Sequence, residues 1–200
     1  IGSLVPMLKT VKGSASSGNK ITFCKLLLNL RELLPNTFIH AFGVSGTMSY
    51  LAVQCGIDSY DSNSWIQRSS YGTIQLPGIS ERKLLPKKSN RPYLMNNRRL
   101  KNGHKVNEID IFMNCECAAC KGYTDFDIKK LEFNREGVDG RILRSVHNLS
   151  LYQSECNLMR EHLKRGTIDR FCMSRLKNSI YYDMSRGIFE YKRGLSKFGL

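Results

Sequence analysis

Long apolar stretches are absent from this chain, which has no run near the 18 or so residues of a membrane-spanning helix and no secretory h-region. We therefore expect a cytoplasmic protein with no membrane partner, in which thiols stay reduced. Internal repeats and low-complexity segments are also absent. The 200 residues suffice for one domain, or for one domain with a small appendage.

Acidic residues are scarce. The chain has 17 Asp plus Glu against 31 Lys plus Arg, which gives a net charge of +14. Such a field favours a polyanion, most commonly nucleic acid. Nine basic residues and one acidic residue lie between positions 81 and 105, and a second basic stretch covers positions 160–197. A solvated face is the alternative interpretation of the first run, but the second one favours phosphate binding.

Cysteines are few but clustered. Cys115, Cys117 and Cys120 form the pattern C-x-C-x2-C, and His147 follows after 26 intervening residues. Three thiolates and one imidazole complete a tetrahedral shell, which favours zinc and leaves no open position for a catalytic water. The pattern therefore predicts a structural zinc site with His147 facing inward from a helix. A disulfide, or free thiols beside a core histidine, is the alternative.

The other four cysteines have no predicted role and are interpreted as small buried apolar residues, because they are scattered through helix-like apolar stretches. They are Cys24, Cys55, Cys156 and Cys172.

The first third of the chain has the pattern of parallel βαβ units. Strands are predicted over 1–6, 38–44 and 57–60, and helices over 21–34 and 48–55. A β-hairpin or extended ribbon is predicted over 65–76. Two long helices, basic on their outer faces, are predicted over 141–164 and 167–191.

Asp61 follows the third predicted strand, and catalytic groups of parallel α/β barrels lie at the carboxyl ends of strands. Asp58 should point to the opposite face of the same strand. The alternative is that Asp61 only caps the following turn.

Read in order, these segments resemble the tRNA-guanine transglycosylases. The matching segments are residues 2–4, 40–44 and 56–62, the cysteine cluster, and residues 147–149. The similarity covers positions 1 to about 165 and corresponds to the C-terminal part of that superfamily. Residues 61–65, Gly72 and residues 76–78 more closely resemble the branch that inserts 7-deazaguanines into DNA.

The resemblance implies the C-terminal part of an α/β (β/α)8 TIM barrel with an inserted zinc-binding subdomain and long C-terminal helices. The corresponding segments would be barrel units in 1–80, a basic loop in 81–110, the zinc subdomain in 111–165 and a basic helix in 166–200.

The implied activity is that of a pentosyltransferase, which replaces guanine in tRNA or DNA by a free 7-deazaguanine. Asp61 matches the nucleophile of the family, and a carboxylate suits that role because it can trap the ribose C1′ as a covalent glycosyl intermediate. Two successive displacements would retain the anomeric configuration.

The resemblance also implies the contacts of the base and of the nucleic acid. Ser3 and Leu4 match positions whose backbone holds the base, and Phe42 and Gly43 match a wall of the base pocket. The family usually has two glycines where this chain has Gly2 and Ser3, so the close approach that glycine allows is altered. The residues expected to contact phosphates are Arg68, Lys87, Lys88, Arg98 and Arg99.

A complete eight-stranded barrel takes about 250 residues. We therefore expect the preceding strands, with the second carboxylates, in a missing N-terminal half or in a partner subunit, for which a homodimer is one arrangement. We expect no base exchange by these 200 residues alone. The alternative function is a non-catalytic, zinc-containing accessory subunit that binds nucleic acid.

Overall fold

The computed structural model describes residues 17–84, 93–99, 103 and 105–195. The predicted first strand, with Ser3 and Leu4, lies outside the described residues, as do Lys87 and Lys88. The described part of the chain is a mixed α/β structure, mostly helical, with short strands. It divides into a first unit, Ile1–Ser62 with Glu161–Leu200, and a second unit, Asn63–Arg160.

The first described element of the first unit is helix α1, Ser17–Leu33, which buries Phe23, Cys24, Leu27 and Leu28. These positions recur once per helical turn and form the stripe that packs inward. Leu33, the last residue of the helix, is 77% exposed. The helix ends just before Pro35, because the residue preceding a proline is disfavoured in helical geometry.

A βαβ unit follows, as the sequence predicted. Strand β1, His40–Phe42, leads through helix α2, Thr47–Gln54, to strand β2, Ser59–Asp61. The two strands pair in parallel, and Phe42 lies opposite Asp61. Asp61 is therefore the last residue of its strand, at the carboxyl end of the pair. Whether these strands belong to a complete (β/α)8 barrel stays a prediction.

Two helices complete the first unit where the sequence predicted a single long one. Helix α7 covers Ile168–Leu176 and helix α8 covers Tyr182–Lys192. The prediction of one helix was wrong because the backbone turns at Ser179, whose N–H donates to the carbonyl of Leu176 at 2.7 Å. Both helices pack against α2.

The second unit begins with a helix where a ribbon was predicted over 65–76. Helix α3 covers Ser64–Ser70 and ends before Gly72, which has a positive φ of 70°. Strand β3, Thr73–Leu76, then pairs antiparallel with strand β4, Ile79–Lys83. Only the second half of the predicted ribbon is thus extended, and it forms a hairpin around Pro77 and Gly78.

The rest of the second unit surrounds an apolar core. Strands β5, Arg98–Arg99, and β6, Lys105–Val106, pair antiparallel. Helices α4, Glu108–Met113, and α5, Phe126–Asn134, begin at Asn107 and Asp125, whose side chains accept hydrogen bonds from backbone N–H groups. The core joins Ile74 and Leu76 of β3 to Phe112 and Phe133 of these helices.

Helix α6, Val138–Lys164, carries His147. A helix usually packs an apolar stripe inward, but Ile142 of this helix is 52% exposed. The buried face is instead largely polar, and consists of Gly140, Arg144, Ser145, His147, Asn148, Glu155 and Met159. Among the described residues, no helix has the length and apolar character needed to cross a membrane.

Candidate functional site

The four predicted metal ligands lie together in the second unit. The donor atoms of Cys115, Cys117, Cys120 and His147 are all within 4.8 Å of one another. His147 Nδ1 lies 3.5, 3.7 and 3.3 Å from the three Sγ atoms in that order. With zinc bonds of roughly 2.3 Å to sulfur and 2.0 Å to nitrogen, a tetrahedron has N···S edges of about 3.5 Å. The donor set therefore fits a single zinc ion.

The tautomer of His147 also suits a metal. Its Nε2 lies 2.9 Å from the carbonyl oxygen of Gln75 on strand β3. Because a carbonyl only accepts, Nε2 carries the proton and Nδ1 presents its lone pair to the sulfur cluster. The ring is 2% exposed and meets Phe112 edge-on, with 5.6 Å between ring centroids. Packing and one hydrogen bond thus fix the imidazole before a metal binds.

The thiols share their protons unevenly. Hydrogen bonds from Cys115 and then Cys120 hold the pKa of Cys117 well below its ordinary value, at about 3. The same three-thiol network raises the pKa of Cys120, through Cys115 first, then Cys117 and burial. A divalent ion arriving at neutral pH would find the Cys117 thiolate ready and would displace the proton of Cys120.

From the sequence, Asn148 stood out only as part of a segment that resembles the family. In the structure, its side chain holds strand β3 beside the metal ligands. Its Oδ1 accepts from Gln75 N–H at 2.8 Å, and its Nδ2 donates to the carbonyl of Thr73 at 3.3 Å. His147 and Asn148 therefore satisfy both backbone groups of Gln75. The signal for this role in the sequence is that the asparagine directly follows the histidine.

Asp61 lies in the first unit, with its side chain 57% exposed. Its Oδ1 accepts from Gly43 N–H at 3.0 Å and lies 3.9 Å from His40 Nε2. Among the described residues, Oδ2 has no hydrogen-bond partner. One carboxylate oxygen is therefore anchored, and the other faces outward from the strand end.

Asp61 shares a small surface with three residues, His40, Phe42 and Gly43. His40 Nδ1 lies 2.6 Å from the hydroxyl of Ser59, and its ring meets Phe42 edge-on at 4.4 Å between centroids. Phe42 is 49% exposed. Gly43, predicted as a wall of the base pocket, has a φ of 76° and donates its N–H to Asp61. The sequence pattern does not mark His40 as a neighbour of the carboxylate.

Asp58 has a different part in the fold. Its Oδ2 accepts from Arg31 Nη2 at 2.5 Å and from Ile39 N–H at 2.7 Å. Arg31 also donates from Nε to the carbonyl of Gly56 at 2.8 Å. Asp58 is thus committed to holding the βαβ unit together, which leaves Asp61 as the available carboxylate of the pair.

Two of the predicted phosphate ligands form ion pairs inside the second unit. Arg68 pairs with Glu81. Arg98 Nε lies 2.5 Å from Glu108 Oε1, and Arg82, from the same basic run, lies 2.7 Å from that oxygen. Glu108 is fully buried. The buried Glu108 therefore holds both Arg82 and Arg98, and its single negative charge offsets one of their two positive charges. Phosphate binding by Arg68 and Arg98 stays a prediction. Arg99 is exposed.

Comparisons with known proteins agree with this geometry. A family model described as queuine tRNA-ribosyltransferase matches residues 7–180. The chain belongs to this family. The queuine tRNA-ribosyltransferase of Idiomarina loihiensis is 32% identical over 68 residues, which is 34% of the chain and 18% of that relative.

Two archaeal relatives match over longer stretches. The tRNA-guanine(15) transglycosylase of Pyrococcus furiosus is 24% identical over 201 aligned positions, covering 99% of the chain and 28% of that protein. The enzyme of the same name from Thermococcus kodakarensis is 25% identical over 167 positions, covering 82% of the chain and 24% of that protein. The chain thus spans only 24–28% of the length of these two relatives. In this queuine tRNA-ribosyltransferase family member, the Cys3His cluster is consistent with a structural zinc site.

Proposed function

We propose that this chain is the nucleophile-bearing and zinc-bearing portion of a transglycosylase that exchanges guanine in tRNA for a 7-deazaguanine. The observation that carries the proposal is the Asp61 carboxylate at the end of a parallel strand, with Oδ1 anchored at 3.0 Å by Gly43 N–H. The family membership and the family's printed name support tRNA as the substrate.

In the proposed reaction, the outward oxygen of Asp61 attacks C1′ of the ribose. The electron pair of the glycosidic bond leaves with guanine, and the aspartyl ester holds the ribose until the deazaguanine nitrogen attacks the same carbon. Anchoring by Gly43 restricts the rotation of the carboxylate, which favours a defined attack geometry. The exposed Phe42 ring beside it offers an apolar surface against which a flat base can stack.

Zinc, when bound, supplies no chemistry to this reaction but fixes the fold of the second unit. Cys115, Cys117, Cys120 and His147 would hold it, with the imidazole oriented by Gln75. The net charge of +14 supports a polyanionic substrate. We infer that the remaining barrel strands come from additional sequence or from a partner subunit, and that the 200 residues alone are inactive.

Covalent trapping tests the proposal. The completed barrel is incubated with guanine-containing tRNA without an acceptor base, denatured, and analysed by mass spectrometry for a peptide–RNA adduct. The expected adduct lies on the peptide with Asp61. Asp61→Asn should abolish both adduct and exchange, whereas Asp58→Asn, a matched carboxylate of the same segment, should retain the adduct in folded protein.

An Asp61→Asn variant that still exchanges the base would refute the catalytic assignment. Retained tRNA binding with no adduct in the wild type would favour the accessory subunit. A parallel incubation with guanine-containing DNA separates the DNA-modifying branch from the tRNA enzymes, and an adduct with DNA alone would replace the tRNA proposal.

A further inference from the structure

Lys129 is a fully buried cation in the second unit. Its Nζ donates to the carbonyl oxygen of Phe112 at 2.6 Å and lies 4.2 Å from the centroid of the Phe112 ring. Within the described part of the chain, no carboxylate lies within ion-pair distance of this ammonium. Burying a charge without an opposite charge is energetically costly, so the position calls for a compensating anion.

The contacts of Lys129 connect it to the metal ligands. The Phe112 carbonyl that accepts from Lys129 also accepts from the backbone N–H of Cys115 at 3.3 Å. The Phe112 ring meets the His147 ring edge-on. Phe133, four residues beyond Lys129 on helix α5, meets both rings. The ammonium is therefore linked to two of the ligands, Cys115 and His147, through the backbone and the ring of a single residue, Phe112.

The charge of the cluster supplies the missing anion. Zinc with three thiolates and a neutral imidazole carries one negative charge in excess. At low local dielectric, an ammonium and an anion attract over distances that water would screen. The positive charge of a single buried lysine balances the one excess negative charge of such a site.

We propose that Lys129 is the counter-ion of the zinc–thiolate centre and raises its affinity for zinc. The role is one of positioning and charge compensation, since the ammonium ligates nothing. It deepens the zinc assignment but is independent of base exchange, because its test measures metal binding alone.

The test is zinc affinity of the full chain, measured by competition with a chromophoric chelator. Lys129→Met keeps the length and removes the charge, and loss of such an outer partner weakens metal binding about 10- to 100-fold. Lys129→Arg, which keeps the charge, should lose less. The matched control is Lys130→Met on the same helix, where the ammonium lies 5.2 Å from the Phe126 ring and pairs with Asp127. That variant should bind zinc like the wild type.

A second variant separates charge from packing. Cys117→His makes the zinc site formally neutral, so adding Lys129→Met to it should change affinity much less than in the wild type. An equal loss in both backgrounds would overturn the proposal, as would wild-type affinity in Lys129→Met. If Lys129→Met alone does not fold, the double variant should fold with zinc, and its failure to do so would equally overturn it.

Discussion

Protons compete with zinc for the thiols of the Cys3His cluster. The pKa of Cys117 is held at about 3 by hydrogen bonds from Cys115 and Cys120, so this thiol stays ionised at any ordinary pH. The pKa of Cys120 is raised by Cys115, Cys117 and burial, so the metal-free protein keeps its proton there. Zinc must displace that proton, and affinity should therefore rise with pH and fall on acidification.

We expect the zinc-loaded chain to retain one metal ion through dialysis at about pH 8 and to release it progressively towards about pH 5. Mass spectrometry of the native protein and metal analysis after dialysis measure this directly. His147→Ala should shift release to higher pH, since three ligands hold zinc less firmly. Affinity that does not change with pH would show that the thiols are not the ligands.

These four ligands could be predicted from the sequence because three of them lie within six residues and the fourth has helical context. The role of Arg98 could not, because its partner Glu108 follows ten residues later and nothing local marks it as buried. His40 was missed for a related reason. Its neighbour Asp61 comes from the adjacent strand, and only the register of β1 against β2 brings them together.

Among the elements, Gly56 and Arg31 determine how α1 is attached to the βαβ unit. Gly56 has a φ of 91°, and a Cβ at this position would lie 2.9 Å from Arg31 Cγ. The Arg31 guanidinium also donates to the Gly56 carbonyl at 2.6 Å. Alanine at position 56 would therefore add backbone strain and displace the arginine from its acceptors.

We expect Gly56→Ala to lower the free energy of unfolding by more than the roughly 1–3 kcal/mol of a strained backbone, as measured by urea denaturation. Gly166→Ala is the matched control in the same unit, since Gly166 has a φ of 66° but an alanine Cβ there would meet no atom within 4 Å beyond its own chain neighbours. Gly166→Ala should therefore lower the free energy of unfolding only by the cost of the strained backbone. Equal losses of stability in the two variants would mean that the Arg31 side chain moves away from position 56 at no cost in free energy.

The helices show where periodicity succeeds and where it fails. The pattern over 21–55 predicted α1 and α2 because each buries apolar residues that lie close together in the sequence. It also predicted β1 between them, which buries Ala41. Helix α3 was mistaken for a ribbon because its contacts are distant: Ser69 bonds the hydroxyl of Ser145 at 2.6 Å, and Arg144 donates to the Ser69 carbonyl at 2.8 Å. Polar contacts over such separations leave no periodic signal in the sequence.

For the molecule as a whole, the net charge of +14 predicts salt-dependent binding to nucleic acid, but not every cation contributes to it. Arg98 and Arg99 are adjacent in β5 and separate the two roles. The Arg98 side chain is 20% exposed and pairs with Glu108, whereas Arg99 is exposed. Arg98 therefore stabilises the fold, and Arg99 is available to a phosphate.

We expect Arg98→Gln to lower the free energy of unfolding by about 1.5–3 kcal/mol, the worth of a hydrogen bond to a charged group. Arg99→Gln should leave stability within about 0.5 kcal/mol but reduce the slope of log affinity against log salt by about one. Thermal unfolding and fluorescence anisotropy with labelled tRNA over a salt series measure the two effects. A guanidinium held by a buried carboxylate cannot also release counterions from nucleic acid, so the two roles exclude each other. A stable Arg98→Gln variant with a reduced slope would therefore contradict this assignment and make Arg98 the phosphate ligand.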